Sequence, residues 1–248
     1  MDREKSVNSA AKTLRVLHAV ARQESPRRLG EVAEQAGVPK ASTHRILSTL
    51  IAEGYAVADG DGRYGIGPQL RTLAAQVLAD DAVGIDAVLR ALQQRLGQTV
   101  HLAVLSGDYA TYTHKVDPGH AYRIATEVGM PLPLHASAAG KVLLAHLPEK
   151  ECAALLDSAG LPARTPRTVT DRRKLRGELN TVRKQGYATE YEEADEAVCS
   201  LAAPVLDNDG YPMGAVSVSS LTFLVTEDQL HEFAPAVRQA AEEVSRRL

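Results

Sequence analysis

Within the first fifty positions, apolar residues recur at helical spacing in three separate stretches. Ala10, Leu14, Leu17 and Ala21 mark an amphipathic helix with Asn8 or Ser9 placed to cap it. Val32 and Ala33 mark a shorter helix, closed by Gly37, the residue type that accepts a left-handed conformation past a helix end. Pro39 suits the first turn of the next helix, where a missing N–H costs nothing. Ile46, Leu47, Leu50 and Ile51 then form one apolar stripe, and Lys40, Ser42, Thr43, His44 and Arg45 occupy its leading and opposite face. Beyond it the runs Tyr55–Ala58 and Arg63–Ile66 flank the doubled Asp-Gly turn 59–62, a strong hairpin signal. Helix, helix, exposed third helix and β-wing is the order of a winged helix-turn-helix, which lays its last helix in a DNA major groove. The competing reading of residues 29–54 alone is a helical hairpin whose charges are merely solvated.

Gly67-Pro68 breaks the chain and starts a linker helix with the stripe Leu70, Leu73, Ala74, Val77, Leu78. This helix is either a passive spacer or a surface for a second subunit. Ile85, Val88, Leu89 and Leu92 repeat the pattern up to Gly97. From Thr99 the period changes to two. Strands are predicted over 99–105, 109–116, 122–128, 187–191, 201–206 and 213–219, with turns at 106–108 and 208–210. Helices are predicted over 136–147, 148–158 and 170–185, and one long helix over 226–248. Strands and helices in this mixed order indicate an α+β sheet domain rather than a doubly wound parallel one.

The chain has 248 residues, 44% hydrophobic and 4% aromatic, enough for two domains with aliphatic cores. The net charge of −3 excludes a generally basic nucleic-acid coat, but its distribution is uneven. Residues 1–50 hold nine Lys/Arg against five Asp/Glu, whereas residues 68–248 hold 18 against 23. A mildly basic head on an acidic body directs one end towards phosphate. Cys152 and Cys199 stand far apart, so neither a disulfide framework nor a zinc ribbon is supported. The first residues carry no apolar signal segment and no run reaches membrane-spanning length, so a cytoplasmic protein without membrane partners is expected.

The C-terminal half carries the candidate chemistry. Strand alternation sets Ser217 and Ser219 on one face and Val216 and Val218 on the other, a pair of hydroxyls that either line a site or meet solvent. The segment 135–141 (His-Ala-Ser-Ala-Ala-Gly-Lys) resembles a helix start at which a ligand approaches backbone N–H groups; such an end favours a carboxylate or other anion. The competing explanation of its small residues is tight helix packing. It is not a phosphate-binding loop, because His135 and Val142 stand where Gly and Ser/Thr are needed. The histidines lack metal-ligand spacing, and no Gly-x-Ser-x-Gly elbow supports a Ser137–His135–Glu190 triad. No catalytic residues, metal or cofactor are therefore expected.

Taken together, the 7–17 helix (Val-Asn-Ser-Ala-Ala-Lys-Thr-Leu-Arg-Val-Leu), the helix-turn-helix, the motif 132–145, the run 186–207 and the strand 214–219 resemble the IclR-type transcriptional regulators along essentially the whole chain. The resemblance implies a winged helix-turn-helix at 1–67, a linker helix at 68–82 and a GAF-like effector-binding domain at 83–248. It implies a homodimer or homotetramer, a palindromic double-stranded operator, a small-molecule effector and no enzymatic activity. Carried over residue by residue, it puts the effector near Leu132, Ala138, Ala139, Glu190, Ser200, Ser217 and Ser219, with Val198 as an apolar wall. Relatives often have Asp at position 190 and Cys where Ser200 stands. Because one residue of slip inverts a strand's facing, Cys199 and Ser200 remain alternatives. Tyr109, Tyr112 and Tyr122 either widen the pocket for an aromatic acid or fill the core. On the DNA side, Pro39, Lys40, Ser42, Thr43, His44 and Arg45 lie at the recognition helix, with Arg45 placed for a bidentate contact to guanine. Arg27, Arg28 and Arg63 suit phosphates. The alternative function is a ligand sensor whose head docks a protein instead of DNA.

Overall fold

A computed structural model describes residues 8–21, 27–81, 84–119 and 122–248, without the side chains of 77–81. The chain divides into two compact units, Met1–Ala82 and Val83–Leu248. The expected contributions of Val77 and Leu78, and the join at 82–83, lie outside what is described.

The first unit holds α1 (Ser9–Ala21), β1 (Arg27–Arg28), α2 (Leu29–Ala36), α3 (Lys40–Ala52), β2 (Ala56–Ala58), β3 (Arg63–Ile66) and α4 (Pro68–Asp81). Asn8 caps α1, its Oδ1 accepting from Ala11 N at 2.9 Å. The buried face of α1 is Val16, Ala19 and Val20, while Leu14 points outward. The predicted stripe through Ala10 and Leu14 is thus rotated, because the C-terminal half of the helix is the part that meets α2 and α3. Gly37 closes α2 at φ +60°, and Val38 N reaches back to Ala33 O at 3.1 Å. Val16, Val32, Leu47 and Leu50 form the centre of a small aliphatic core. The wing is an antiparallel β2–β3 pair whose tip is ordered by Asp59; its Oδ1 accepts from Asp61 N and Arg63 N. The short strand β1 joins β3 on its other edge, an element the sequence pattern did not announce.

The second unit contains α5 (Ile85–Leu96), β4 (Thr99–Ser106), β5 (Tyr109–Val116), β6 (Pro131–Pro133), α6 (Ala138–His146), α7 (Glu149–Ala159), α8 (Arg172–Gln185), β7 (Ala188–Tyr191), β8 (Val198–Leu206), β9 (Pro212–Leu221), α9 (Glu227–Glu232) and α10 (Ala234–Ser245). Its six strands pair antiparallel in the order β6-β5-β4-β9-β8-β7. Both faces are covered, so the central strands β8 and β9 are buried along almost their whole length. One face packs Val100, Leu201, Val216 and Val218 against α5 and α10. The other packs Ala103, Ala202 and Ala215 against Val142, Leu143 and Leu144 of α6, with Leu175 and Leu179 of α8 alongside. Small residues on this second face let α6 approach the sheet.

Two predicted elements differ. Residues 122–128 form no strand; the edge partner of β5 is β6 at 131–133. The long C-terminal helix breaks at Phe233, because Pro235 in the first turn of α10 has no N–H to continue the ladder.

Candidate DNA-reading helix and effector site

In the head, α3 buries Thr43, Leu47 and Leu50 and leaves Lys40, Ala41, His44, Arg45, Ser48 and Thr49 exposed, a face repeating at i, i+1, i+4 and i+5. Thr43 corrects the sequence reading. It is fully buried, and its hydroxyl donates to Val38 O at 3.1 Å and Pro39 O at 3.2 Å. Its role is to lock the turn onto α3, not to meet a nucleic acid. Pro39 is the residue before the helix rather than its first turn, and Ile51, assigned to the apolar stripe, is 37% exposed. Ser42 is half-buried. Ser48 and Thr49 extend the same exposed face, and their hydroxyls bond back to His44 O and Arg45 O. Arg27 binds Gln35 from β1, Arg28 is exposed ahead of α2 with its N–H on Glu31 Oε2 at 2.8 Å, and Arg63 starts β3.

In the second unit, register brings the predicted residues into one row on the α6 face of the sheet. Glu190 pairs with Ser200 across β7–β8, and Ser200 with Ser219 across β8–β9. Ser200 Oγ lies 3.0 Å from Glu190 Oε1 and 3.1 Å from Ser219 Oγ. Glu190 Oε2 accepts from Glu193 N at 3.0 Å and from Ala194 N at 3.4 Å. Burial nevertheless pushes the Glu190 carboxyl up to about 7, against the lowering effect of these hydrogen bonds. Ser217 and Ser219 are 1% and 2% exposed, so the hydroxyl face meets helix α6 and not solvent. Ser217 Oγ is buried with no partner. An unpartnered buried hydroxyl is costly to folding, and a site that waits for a ligand is one physical reason to keep it.

The alternatives at 199 and 200 resolve by facing. Cys199 packs with Leu201 and Val218 on the opposite side of the sheet, its Sγ 3.8 Å from Val225 O, and burial pushes its thiol up to about 12. Ser200 is the residue in the row. Val198 stands half-buried at the start of β8, and Leu132 is buried on β6.

Helix α6 begins opposite these strands. Ser137 caps it, accepting from Gly140 N at 3.1 Å and donating to Pro133 O at 2.7 Å. Ala138 and Ala139 are buried in its first turn, and their N–H groups precede the helix's own ladder. Gly140 is small for a packing reason: a Cβ there would lie 2.5 Å from Leu134 Cα. Lys141 is buried and bound to Glu178 Oε2 at 2.9 Å and Glu193 Oε1 at 2.6 Å. It thereby ties α6 to the loop that supplies Glu190 with N–H donors. That loop is bounded by Glu192 and Ala197 at φ 59° and 61°, rare for residues with a side chain, and Thr165 and Thr168 hydroxyls hold its carbonyls. A recess of about 470 Å³ between α6, α8 and β7 is lined by Lys141, Lys174, Glu178 and Glu193; the row of Glu190, Ser200 and Ser219 does not line it.

The imagined triad is not assembled. Ser137 is occupied as a cap, and His135 Nε2 lies 3.1 Å from Pro162 O. Among the described residues no group of His, Cys, Asp and Glu could hold a metal ion, and no helix is long and apolar enough to cross a membrane. Sequence reasoning did not place His101 near the candidate site; Tyr112, one of the three tyrosines weighed for the pocket, is its neighbour there. They stack at 3.9 Å, both buried, beside Ser217 and Ser219. Tyr109 and Tyr122, by contrast, are 42% and 60% exposed.

Comparison with known proteins agrees with this architecture. Residues 9–60 match the IclR helix-turn-helix domain and residues 82–246 the bacterial transcriptional regulator IclR C-terminal domain. The chain is 34% identical over 244 residues to the transcriptional repressor IclR of Escherichia coli K12, covering 96% of this chain and 89% of that protein. The crystal structure of an IclR transcriptional regulator from Alicyclobacillus acidocaldarius superposes with a TM-score of 0.83 at 30% identity, over 96% of this chain and 98% of the other. The inducer-binding domain of PobR from Acinetobacter, a double mutant in complex with 3-hydroxybenzoic acid, gives 0.60 at 28% identity over 64% and 94% of the two chains. The chain belongs to the IclR family of bacterial transcriptional regulators.

Proposed function

We propose that this regulator binds a palindromic operator as a homodimer or homotetramer, and that a small carboxylate-bearing effector in the second unit adjusts its operator affinity. The domain division is 1–67 for the reader, 68–82 for the linker and 83–248 for the sensor. The observation that carries the effector reading is the buried row Glu190–Ser200–Ser219 with the unpartnered Ser217 hydroxyl, on the sheet face that packs against α6. The N-terminal turn of α6 concentrates partial positive charge and free N–H groups, which suits a carboxylate at Ala138 and Ala139. Leu132 and Val198 supply apolar walls. The hydroxybenzoic acid held by the PobR domain supports an organic acid as the ligand class.

On the DNA side, Lys40, His44 and Arg45 reach base edges from the exposed face of α3, with Pro39 and Ser42 at its start. Arg27, Arg28 and Arg63 contact phosphates. Leu73 and Ala74 of α4 are exposed, an apolar face suited to a second copy. The effector shifts the packing of this linker and with it the spacing of two heads. The relatives are regulators, and the functional role inferred here involves no enzymatic turnover and places the protein in the cytoplasm. Mobility-shift titration on the DNA upstream of its own gene, in rising salt, tests the DNA assignment. Phosphate contacts make log affinity fall linearly with log salt, whereas a head that docks protein leaves no such slope.

A further inference from the structure

The row of hydroxyls continues past Ser219 into a second polar end. On the strand pair β4–β9, His101 lies directly across from Ser217. Both side chains are essentially without solvent exposure, and both carry a polar atom with no partner: His101 Nδ1 and Ser217 Oγ. The imidazole is held by its other nitrogen, Nε2, 2.9 Å from Thr126 Oγ1. Lys115 secures that anchor, donating to Thr126 O at 2.7 Å. Tyr112 stacks on the ring at 3.9 Å with an interplanar angle of 14°, fixing its plane. The stack on Tyr112 alone does not require a histidine, since a phenylalanine would keep it and leave no orphaned nitrogen.

We propose that His101 and Ser217 form the specificity-determining end of the effector site and accept a neutral hydroxyl group of the ligand. The effector is then a hydroxylated carboxylic acid, its carboxylate on the α6 turn and its hydroxyl on this pair. The two unpartnered atoms decide the kind of group. Burial and the nearby Lys115 ammonium push the imidazole down to about 3, so it is uncharged at neutral pH. The uncharged ring is itself no countercharge for a second carboxylate, and the Lys115 ammonium is already engaged by Asp117 at 3.0 Å and Thr126 O at 2.7 Å. A hydroxyl both donates and accepts, and so satisfies Nδ1 and the serine together in either tautomer. This inference deepens the anionic-effector reading and rests on it.

The test is calorimetric titration of the full-length protein with acids matched in pairs: lactate with propionate, 3-hydroxybutyrate with butyrate, and 3- and 4-hydroxybenzoate with benzoate. The expected result is that at least one hydroxylated acid binds about tenfold or more tightly than its deoxy partner, since a buried group left unpaired penalises the analogue. His101→Phe, which keeps the stacked ring, is expected to bring that ratio close to one. Thr126→Val, which frees the imidazole, reduces the ratio without removing a site residue and stands in if His101→Phe unfolds. A folded His101→Phe or Thr126→Val protein that keeps the full ratio overturns the role of His101 and leaves the anionic-effector reading standing. Failure of every acid to bind the unaltered protein overturns both.

Discussion

Ser200 and Cys199, neighbours on β8, face opposite sides of the sheet: the hydroxyl bonds to Glu190 at 3.0 Å, the thiol lies against Val225 O. Ser200→Ala removes a donor from Glu190 and from the row, and is expected to cost about 1–3 kcal/mol in urea unfolding. Cys199→Ala leaves the row intact. Titration with whichever of the paired acids binds the unaltered protein is expected to be weakened in the first variant and unchanged in the second; equal effects would remove the facing argument.

Glu190 makes stability depend on pH in a stated direction. Its carboxyl rises from 4.5 to about 7 on folding, so the folded chain holds this proton more tightly. The stabilising contribution is complete below pH 4.5 and is lost as pH rises through about 7. His101 falls from 6.5 to about 3 and acts oppositely, its contribution being present above 6.5 and lost as pH falls towards 3. Glu190→Gln isolates the first effect. The melting temperature of the unaltered protein minus that of the variant is expected to decline steadily between pH 4.5 and 7. A difference independent of pH contradicts the raised carboxyl.

Gly140 is a packing residue at the start of α6. With a Cβ 2.5 Å from Leu134 Cα, Gly140→Ala forces the helix off the sheet and is expected to lower stability by about 1–3 kcal/mol in thermal unfolding. An unaffected Gly140→Ala protein would mean that the helix sits farther from Leu134.

Arg45 and Thr43, two residues apart on α3, are expected to behave differently. Arg45→Ala should cost about 1–3 kcal/mol of operator affinity at one base position while the head stays folded. Thr43→Val should destabilise the head by about 1 kcal/mol, through two lost hydrogen bonds, and leave base preference unchanged. Operator variants scanned by mobility shift, with unfolding curves alongside, separate the two.

The helix-turn-helix, its wing and the α+β character of the second unit were legible because period and turn chemistry are local. Gly37 and the Asp59–Gly62 turn announce themselves. The facing of Thr43 was not legible: its hydroxyl looks polar in a sequence, and only the return of the Pro39 turn shows that it bonds inward. The strand expected at 122–128 failed because alternation there carries no information about a partner, and β5 takes β6 instead. His101 escaped notice because a buried histidine within an aliphatic strand acquires meaning only through its neighbour across the register, Ser217. Register likewise settled Ser200 against Cys199, a choice one residue of slip would reverse.

A buried hydroxyl row that senses the effector must pass that information to the head. Fluorescence anisotropy on labelled operator DNA tests this most directly, comparing the unaltered protein with Ser217→Ala/Ser219→Ala while a hydroxylated carboxylic acid is added. An affinity change of about five- to 150-fold is expected in the unaltered protein and none in the double variant, with equal operator binding when no acid is present. A double variant that responds to the acid as fully as the unaltered protein would contradict this sensing role.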